Sequence, residues 1–272
     1  MVDTAPAIAT ANQPRASRAA SRRRWIRPAR VVAAAVVIYL VWALSAPSFP
    51  GYLLPAPVDV GSTFVATVES GVWLTKVIET LQHLFTAFGI VLVIGLPIGV
   101  LIGRSAIAED LSRVLLVFLQ TVPTVVLVAV ALVIFGTTDV SVVAVTVAGC
   151  LTYFMLNAIQ GTRAIDTDLV DMARAYRAGE AAIMRSVVLP AVVPYFLAGT
   201  RITLGVAWQI TLFSEYLMGT PGIGFQVSTA IKLLDTKAVF MWGLSVVGLT
   251  LLVEYGILRP VERWLTRHMR RA

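Results

Sequence analysis

Charge is scarce in this 272-residue chain. Asp, Glu, Lys and Arg make up 14% of it, against roughly a quarter in soluble domains, which argues against a soluble globular class. Cysteine is almost absent. The lone Cys150 sits in an apolar run, so a disulfide framework and a cysteine metal cluster are both excluded, and it reads as a small packing residue. The two histidines, His83 and His268, stand far apart with no HExxH pattern, so no metal site is indicated. There is no GxxxxGK(S/T), which excludes a P-loop nucleotide site in this chain, and no GxSxG nucleophile context. A catalytic role is therefore not expected. What the sequence does have is apolar length: 58% hydrophobic residues and a mean hydropathy of +0.83, the signature of a polytopic membrane protein. The net charge of +7 is not read as nucleic-acid binding, because the basic residues lie at the ends of the apolar runs.

Six long apolar runs are candidates for spans: Val31–Ala46, His83–Gly103, Val114–Phe135, Val140–Ile159, Ala191–Met218 and Val239–Leu258. About 20 helical residues cross a bilayer core, and only helices or closed barrels satisfy their backbone in lipid. The expectation is an all-α integral membrane protein with about six transmembrane helices. Arginines crowd the tail up to Arg30, the loop with Arg104 and Arg113, the segment from Arg163 to Arg185 and the tail after Arg259, whereas the opposite side carries Lys76, Lys232 and Lys237. The positive-inside rule then places both termini in the cytoplasm. Ser21–Arg27 also resembles a twin-arginine export signal, but five further spans and the arginine topology favour an uncleaved first span. The expected organisation is a disordered basic tail (1–28), a first span (29–46), an outer loop (47–80) with an interfacial helix beginning near Pro57, a core (81–258) containing the polar segment 160–190, and a basic tail (259–272).

The polar segment 160–190 is the most informative stretch. Ile165, Leu169, Met172, Ala173 and Tyr176 recur at helical period, predicting one apolar stripe, with Asp168, Asp171, Arg174 and Arg177 on the other face. Asp166 or Thr167 is positioned to cap the start, Asp171 and Arg174 form an i,i+3 pair, and Gly179 is a break before a second amphipathic turn carrying Ile183, Met184, Val187 and Val188. Periodicity alone leaves two readings open: an ordered docking surface, or a helix resting on lipid headgroups.

Asp171-Met172-Ala173 followed by Val187-Val188-Leu189-Pro190 resembles the "EAA" motif of bacterial ABC importer permeases. The likeness continues through Pro194–Arg201, Glu215 and Gly222-Ile223-Gly224, covers roughly residues 50–265 and is nearest to the nitrate/sulfonate/taurine branch. The resemblance implies a type I ABC importer permease core in the bacterial cytoplasmic (inner) membrane. It also implies two ABC ATPase subunits that carry ATP and Mg, a second permease subunit and an extracytoplasmic substrate-binding protein. This chain itself would hold no cofactor. Asp168, Leu169, Asp171, Met172, Ala173, Arg174, Tyr176, Arg177 and Gly179 become the expected ATPase-coupling residues. Two departures stand out: Met172 is the middle residue of the triplet, and Arg177 stands where the family has Gly. Either Gly179 makes the turn instead, or the turn is helical and less sharp. A changed ATPase interface or one half of a heterodimeric pair would accommodate either.

Polar residues inside the spans are the candidates for a translocation pathway: Gln120, Tyr153, Asn157, Trp208, Thr211 and Glu215. Trp208, Thr211 and Glu215 share a face at i, i+3 and i+7. Glu215 has a second reading, as a structural carboxylate capping the Gly222-Ile223-Gly224 turn. Arg201 is about 21 Å away along the helix axis and cannot pair with it. Gly95, Gly99 and Gly103 form a doubled GxxxG in a helix that Pro97 would kink, pointing to close helix packing within the chain rather than a dimer seam. The cargo implied by the resemblance is a small anion or zwitterion, such as a sulfonate, taurine or nitrate. The alternatives are an ion-coupled secondary transporter, which requires inverted repeats, and an intramembrane enzyme, which requires a convergent catalytic pair. Neither signature is present in the sequence.

Overall fold

The computed structural model describes residues 33–165 and 167–260, and all regular structure among them is helical. The expectations for the tail 1–28, for Asp166 as a cap and for most of the tail after 259 lie outside those residues. The chain divides into two compact units, Met1–Asp59 and Val60–Ala272. In the first, α1 (Ala33–Ser48) is a short apolar helix, and the Trp42 indole donates to the Pro55 carbonyl at 3.1 Å.

Helix α2 (Pro57–Glu69) opens on a proline, whose missing N–H is no loss in a first helical turn. Helix α3 (Val72–Gly103) starts well inside the stretch read from sequence as loop, because Gly71, at φ 75°, ends one helix and admits the next. α4 (Ala106–Thr121) is capped by the Ser105 hydroxyl, which accepts from the Ala108 N–H. α5 (Thr124–Phe135), α6 (Asp139–Arg163) and α7 (Thr167–Ala175) follow. α8 (Glu180–Ile183) runs through a π turn, Met184–Val188, into α9 (Leu189–Met218). Pro190 cannot donate to the carbonyl four residues back, and the wider turn, closed by Leu189 N–H to Met184 O, carries the helix past it. α10 (Ile223–Lys232) and α11 (Thr236–Leu252) follow, and α11 continues through a π turn, Val253–Leu258.

Among the described residues, four helices are long and apolar enough to cross a membrane, and a fifth span results if α4 and α5 count as one. That expected third span is not straight. α4 and α5 meet at 88°, because Val122 is extended before Pro123 and the residue preceding a proline is driven out of the helical region.

The core is a stack in which α3 packs along α6 and α6 along α9. The glycine repeat makes the first contact possible. A Cβ on Gly99 would lie 2.6 Å from the Ala158 Cβ, and one on Gly103 would lie 2.7 Å from the Thr162 Cβ, so only bare backbone permits this approach. α10 folds back against α9, α3 and α11.

Candidate functional site

Three polar constellations interrupt the apolar core. The first surrounds Glu215, which is fully buried. Its Oε2 accepts from the Thr80 hydroxyl at 2.9 Å and from the Gly224 N–H at 2.9 Å, and its Oε1 lies 2.9 Å from His83 Nδ1. Thr80 Oγ1 accepts in turn from the Ile223 N–H at 2.8 Å. On the other side of the ring, His83 Nε2 is 3.2 Å from Asp139 Oδ1, at the exposed start of α6. The carboxylate therefore ties α9 to α3 and to the first turn of α10. A Cβ at Gly222 would overlap the Glu215 carboxyl, and one at Gly224 would overlap the Leu212 carbonyl, which accounts for the Gly-Ile-Gly spelling. Of the two sequence readings of Glu215, this geometry matches the structural cap. His83, which the sequence reading used only to exclude a metal site, is its principal side-chain neighbour. A contact spanning 132 positions leaves no local spacing to reveal it.

The second constellation is an open cleft of about 530 Å³ at the α4–α5 break, walled by α6 and α9. Gln120 and Tyr153 reach it, together with Thr124, Gln209 and Phe213. The other expected pathway residues do not. Asn157 donates to the Tyr153 carbonyl at 2.8 Å and packs against Gly199 at the α6–α9 contact. Thr211 is buried, with its hydroxyl 3.2 Å from that of Thr146. Trp208 is buried beside a void of about 40 Å³ edged by Leu84, Thr250 and Glu254. Trp208, Thr211 and Glu215 do share a face of α9, but that face points into the protein. The cleft belongs to a neighbouring face, where Val206, Gln209 and Phe213 follow one another at i, i+3 and i+7. The signal in the sequence was Gln209 itself, a polar residue one position, and so roughly 100° around the helix, from Trp208.

The third constellation is the segment around α7. Val170 and Ala173 turn inward, with Ile165, onto a buried cluster of Val100, Ile183, Val188 and Val192. Leu169, Met172 and Tyr176 remain exposed. The single apolar stripe expected from periodicity is thus divided. The residues at 165 and 173, joined by Val170, anchor the helix, and those at 169, 172 and 176 form an outward ridge. Asp171 and Arg174 border a pocket of about 410 Å³ with Arg104 and Arg163, and Asp168 is exposed. Glu180 receives Arg104 Nη2 at 2.8 Å and Arg174 Nη2 at 3.1 Å. The hydrogen bonds from Arg104, then those and the charge of Arg174, hold its carboxyl below the ordinary glutamate range. Arg163 pairs with Glu109 nearby.

The turn after α7 resolves the Arg177 question in a way neither expectation anticipated. Arg177 itself takes the left-handed conformation, φ 57°, that a glycine would supply. Its N–H bonds the Arg174 carbonyl at 2.8 Å and the Ala178 N–H bonds the Ala173 carbonyl at 3.0 Å, the paired closure of a Schellman turn. Gly179 is extended, φ −69° and ψ 154°, and serves only as the N-cap of α8.

Comparison with known proteins places these features in context. The family described as "Binding-protein-dependent transport system inner membrane component" matches residues 95–270. The nitrate import permease protein of Synechocystis is 25% identical over 238 residues, covering 83% of this chain and 85% of that protein. The taurine transport system permease protein of Escherichia coli is 26% identical over 188 residues, covering 69% and 68%. Among solved structures, an inward-facing form of the MetNI methionine ABC transporter superposes with a TM-score of 0.63 at 21% identity, covering 71% of this chain and 95% of that one. That likeness is one of fold.

Proposed function

Because the chain belongs to the family of inner membrane components of binding-protein-dependent transport systems, we propose that it is the permease subunit of an ATP-driven importer and that α7 is where ATPase motion enters it. The observation that carries this reading is the split stripe of α7. Leu169, Met172 and Tyr176 stand exposed on a short helix whose opposite side is fixed to the core through Val170 and Ala173. An apolar ridge presented from a charged segment suits insertion into a groove of a partner, and its rigid backing lets a push on the ridge move α3 and α9. The Arg104–Glu180–Arg174 clamp ties the same segment to the end of α3.

In this reading the arginine-rich face, with both termini, lies in the cytoplasm of a bacterium. Two ATPase subunits bind ATP and Mg there, a second permease subunit completes the pathway, and an extracytoplasmic binding protein delivers cargo to the opposite face. Asp168, Asp171, Arg174 and Arg177 flank the ridge and set its register in the groove. The cleft at the α4–α5 break is the route, since Gln120 and Gln209 expose carboxamides that hydrocarbon would not tolerate. Relatives named for nitrate and taurine transport make the cargo class a small anion or zwitterion. The system is a two-state switch biased by ATP and by loaded binding protein.

The test is co-purification. Leu169→Asp combined with Met172→Asp should abolish capture of the ATPase and ATP-dependent uptake while the permease still accumulates in the membrane. Wild-type uptake by that double variant would overturn the assignment.

A further inference from the structure

We infer that the ion pair between Arg201 of α9 and Glu254, in the π turn that ends α11, lines the transport route as its inner constriction. This rests on the reading that the α4–α5 cleft is the route. The two side chains pair directly yet keep 47% and 26% of their surface exposed. Both lie within helices long and apolar enough to span, Tyr195–Met218 and Thr236–Gly256. Arg201 is 17 positions before Met218, the end of α9, and Glu254 is 18 positions after Thr236, the start of α11. Measured from these two helix ends, which α10 connects, the pair is about 26 and 27 Å deep, against a hydrocarbon core about 30 Å thick. A half-exposed ion pair at that depth is not a lipid-facing surface, because charges inside a membrane face protein or a water-filled cavity.

The face that carries the pair also carries the cleft. Along the middle of α9, Ala198, Arg201, Gly205 and Gln209 are exposed at i, i+3, i+7 and i+11, one stripe at helical period. Gln209, at one end, walls the cleft, and Arg201 lies about 12 Å further along the axis. Gly205, between them, has nothing within 4 Å of the place a Cβ would take. It leaves open space, unlike Gly199, whose Cβ would meet Asn157. The void of about 40 Å³ beside Gly205 is walled by Thr250, Glu254 and Trp208. That is room enough for a water molecule, and the Trp208 indole N–H is buried with no protein partner. A polar space, not an apolar seam, therefore joins the Gln209 face to the ion pair.

When closed, the pair satisfies both charges and bridges α9 to α11, so a solute moving inward from the cleft meets joined side chains. Opening requires the two helices to part, and both have a yielding segment on that side. α9 is entered through the π turn Met184–Val188 directly after α8, and Glu254 itself sits in the π turn Val253–Leu258, a wider helical geometry that recurs at functional sites. A push on α7 passes through α8 and the first of these turns into α9, drawing Arg201 away from Glu254. Each freed charge then faces the water of the route, which costs far less than an unpaired charge in an apolar surrounding.

The experiment is thiol labelling of the full complex, permease with its ATPase and binding protein, in lipid nanodiscs that leave both faces open to reagent. The probes are membrane-impermeant methanethiosulfonates, one anionic and one cationic. Single variants Gln209→Cys, Gly205→Cys and Ala198→Cys are compared with Val93→Cys, exposed on α3, and the buried Cys150 stays silent. The three cysteines of the stripe should react faster than Val93→Cys, and the rates at Gly205→Cys and Ala198→Cys should change when ATP is trapped in the complex. Adding Arg201→Gln bares the carboxylate and should shift Gly205→Cys toward the cationic reagent by at least about tenfold, and adding Glu254→Gln should shift it as far toward the anionic one. A bridge that only holds the fold leaves that preference unmoved. Gly205→Cys and Ala198→Cys reacting no faster than Val93→Cys, or at rates indifferent to trapped ATP, would overturn the constriction and leave the cleft standing if Gln209→Cys still reacts. Equally slow labelling at all four positions would overturn the reading of the cleft as the route.

Discussion

Arg177 is held at φ 57°, a region in which a side chain with a Cβ is crowded. Replacing it with glycine should relieve that crowding and raise stability by about 1 kcal/mol, readable as a higher unfolding temperature in detergent. Loss of ATPase capture in the same variant would show that the arginine side chain also serves the docking surface. Glu215 offers the opposite case. Glu215→Leu strands the Thr80 hydroxyl, the His83 ring and the Gly224 N–H in the core, and breaking a buried polar pair costs on the order of 3 kcal/mol or more. A sharp drop in detergent stability is expected, whereas Glu215→Gln, which keeps an acceptor, should lose less. Glu180 titrates with a defined sign. Its carboxyl is held below the ordinary range by Arg104 and Arg174, so its contribution is fully present above the unfolded value of about 4.3 and is lost as the pH falls through the lower folded value. Attachment of α8 to α3, followed by hydrogen exchange across 176–183, should weaken over that acidic window, and Glu180→Gln should remove the pH dependence.

At the scale of elements, apolar length and glycine spacing were legible from sequence because both are local properties. The GxxxG run named a packing face, and α3 meets α6 along it. Gly99→Val should therefore separate these two helices and reduce the yield of folded protein, measured by size-exclusion in detergent. The break at Pro123 was visible as a proline, but not its consequence: two helices at 88° enclosing a cleft. The direction of a face depends on what packs behind it, and a period of 3.6 residues cannot say which of two adjacent apolar stripes is covered. For that reason the period could not show that Trp208 and Thr211 lie on the covered face while Gln209, one step around the helix, lines the cleft. The α7 stripe divided for the same reason, with Ala173 inward and Met172 outward.

For the molecule as a whole, Cys150 is a built-in reporter. Its thiol is fully buried on α6, between the helices that flank it, so maleimide should fail to label the folded protein and react only on global unfolding. Labelling under native conditions would mean that the α6 stack opens readily. The order in which the chain is made adds a consequence of the Glu215 hub. Thr80 and His83 are synthesised more than 130 positions before the carboxylate that satisfies them, and at about 5–20 residues per second the ribosome needs roughly 7–26 seconds to reach it. Through that interval α3 carries the Thr80 hydroxyl and the His83 Nδ1 without their carboxylate, and only Asp139, 3.2 Å from His83 Nε2, is made earlier. A nascent chain halted before α9 thus presents those two groups to any machinery that inspects newly inserted helices, and completion of α10 is the moment at which the signal disappears.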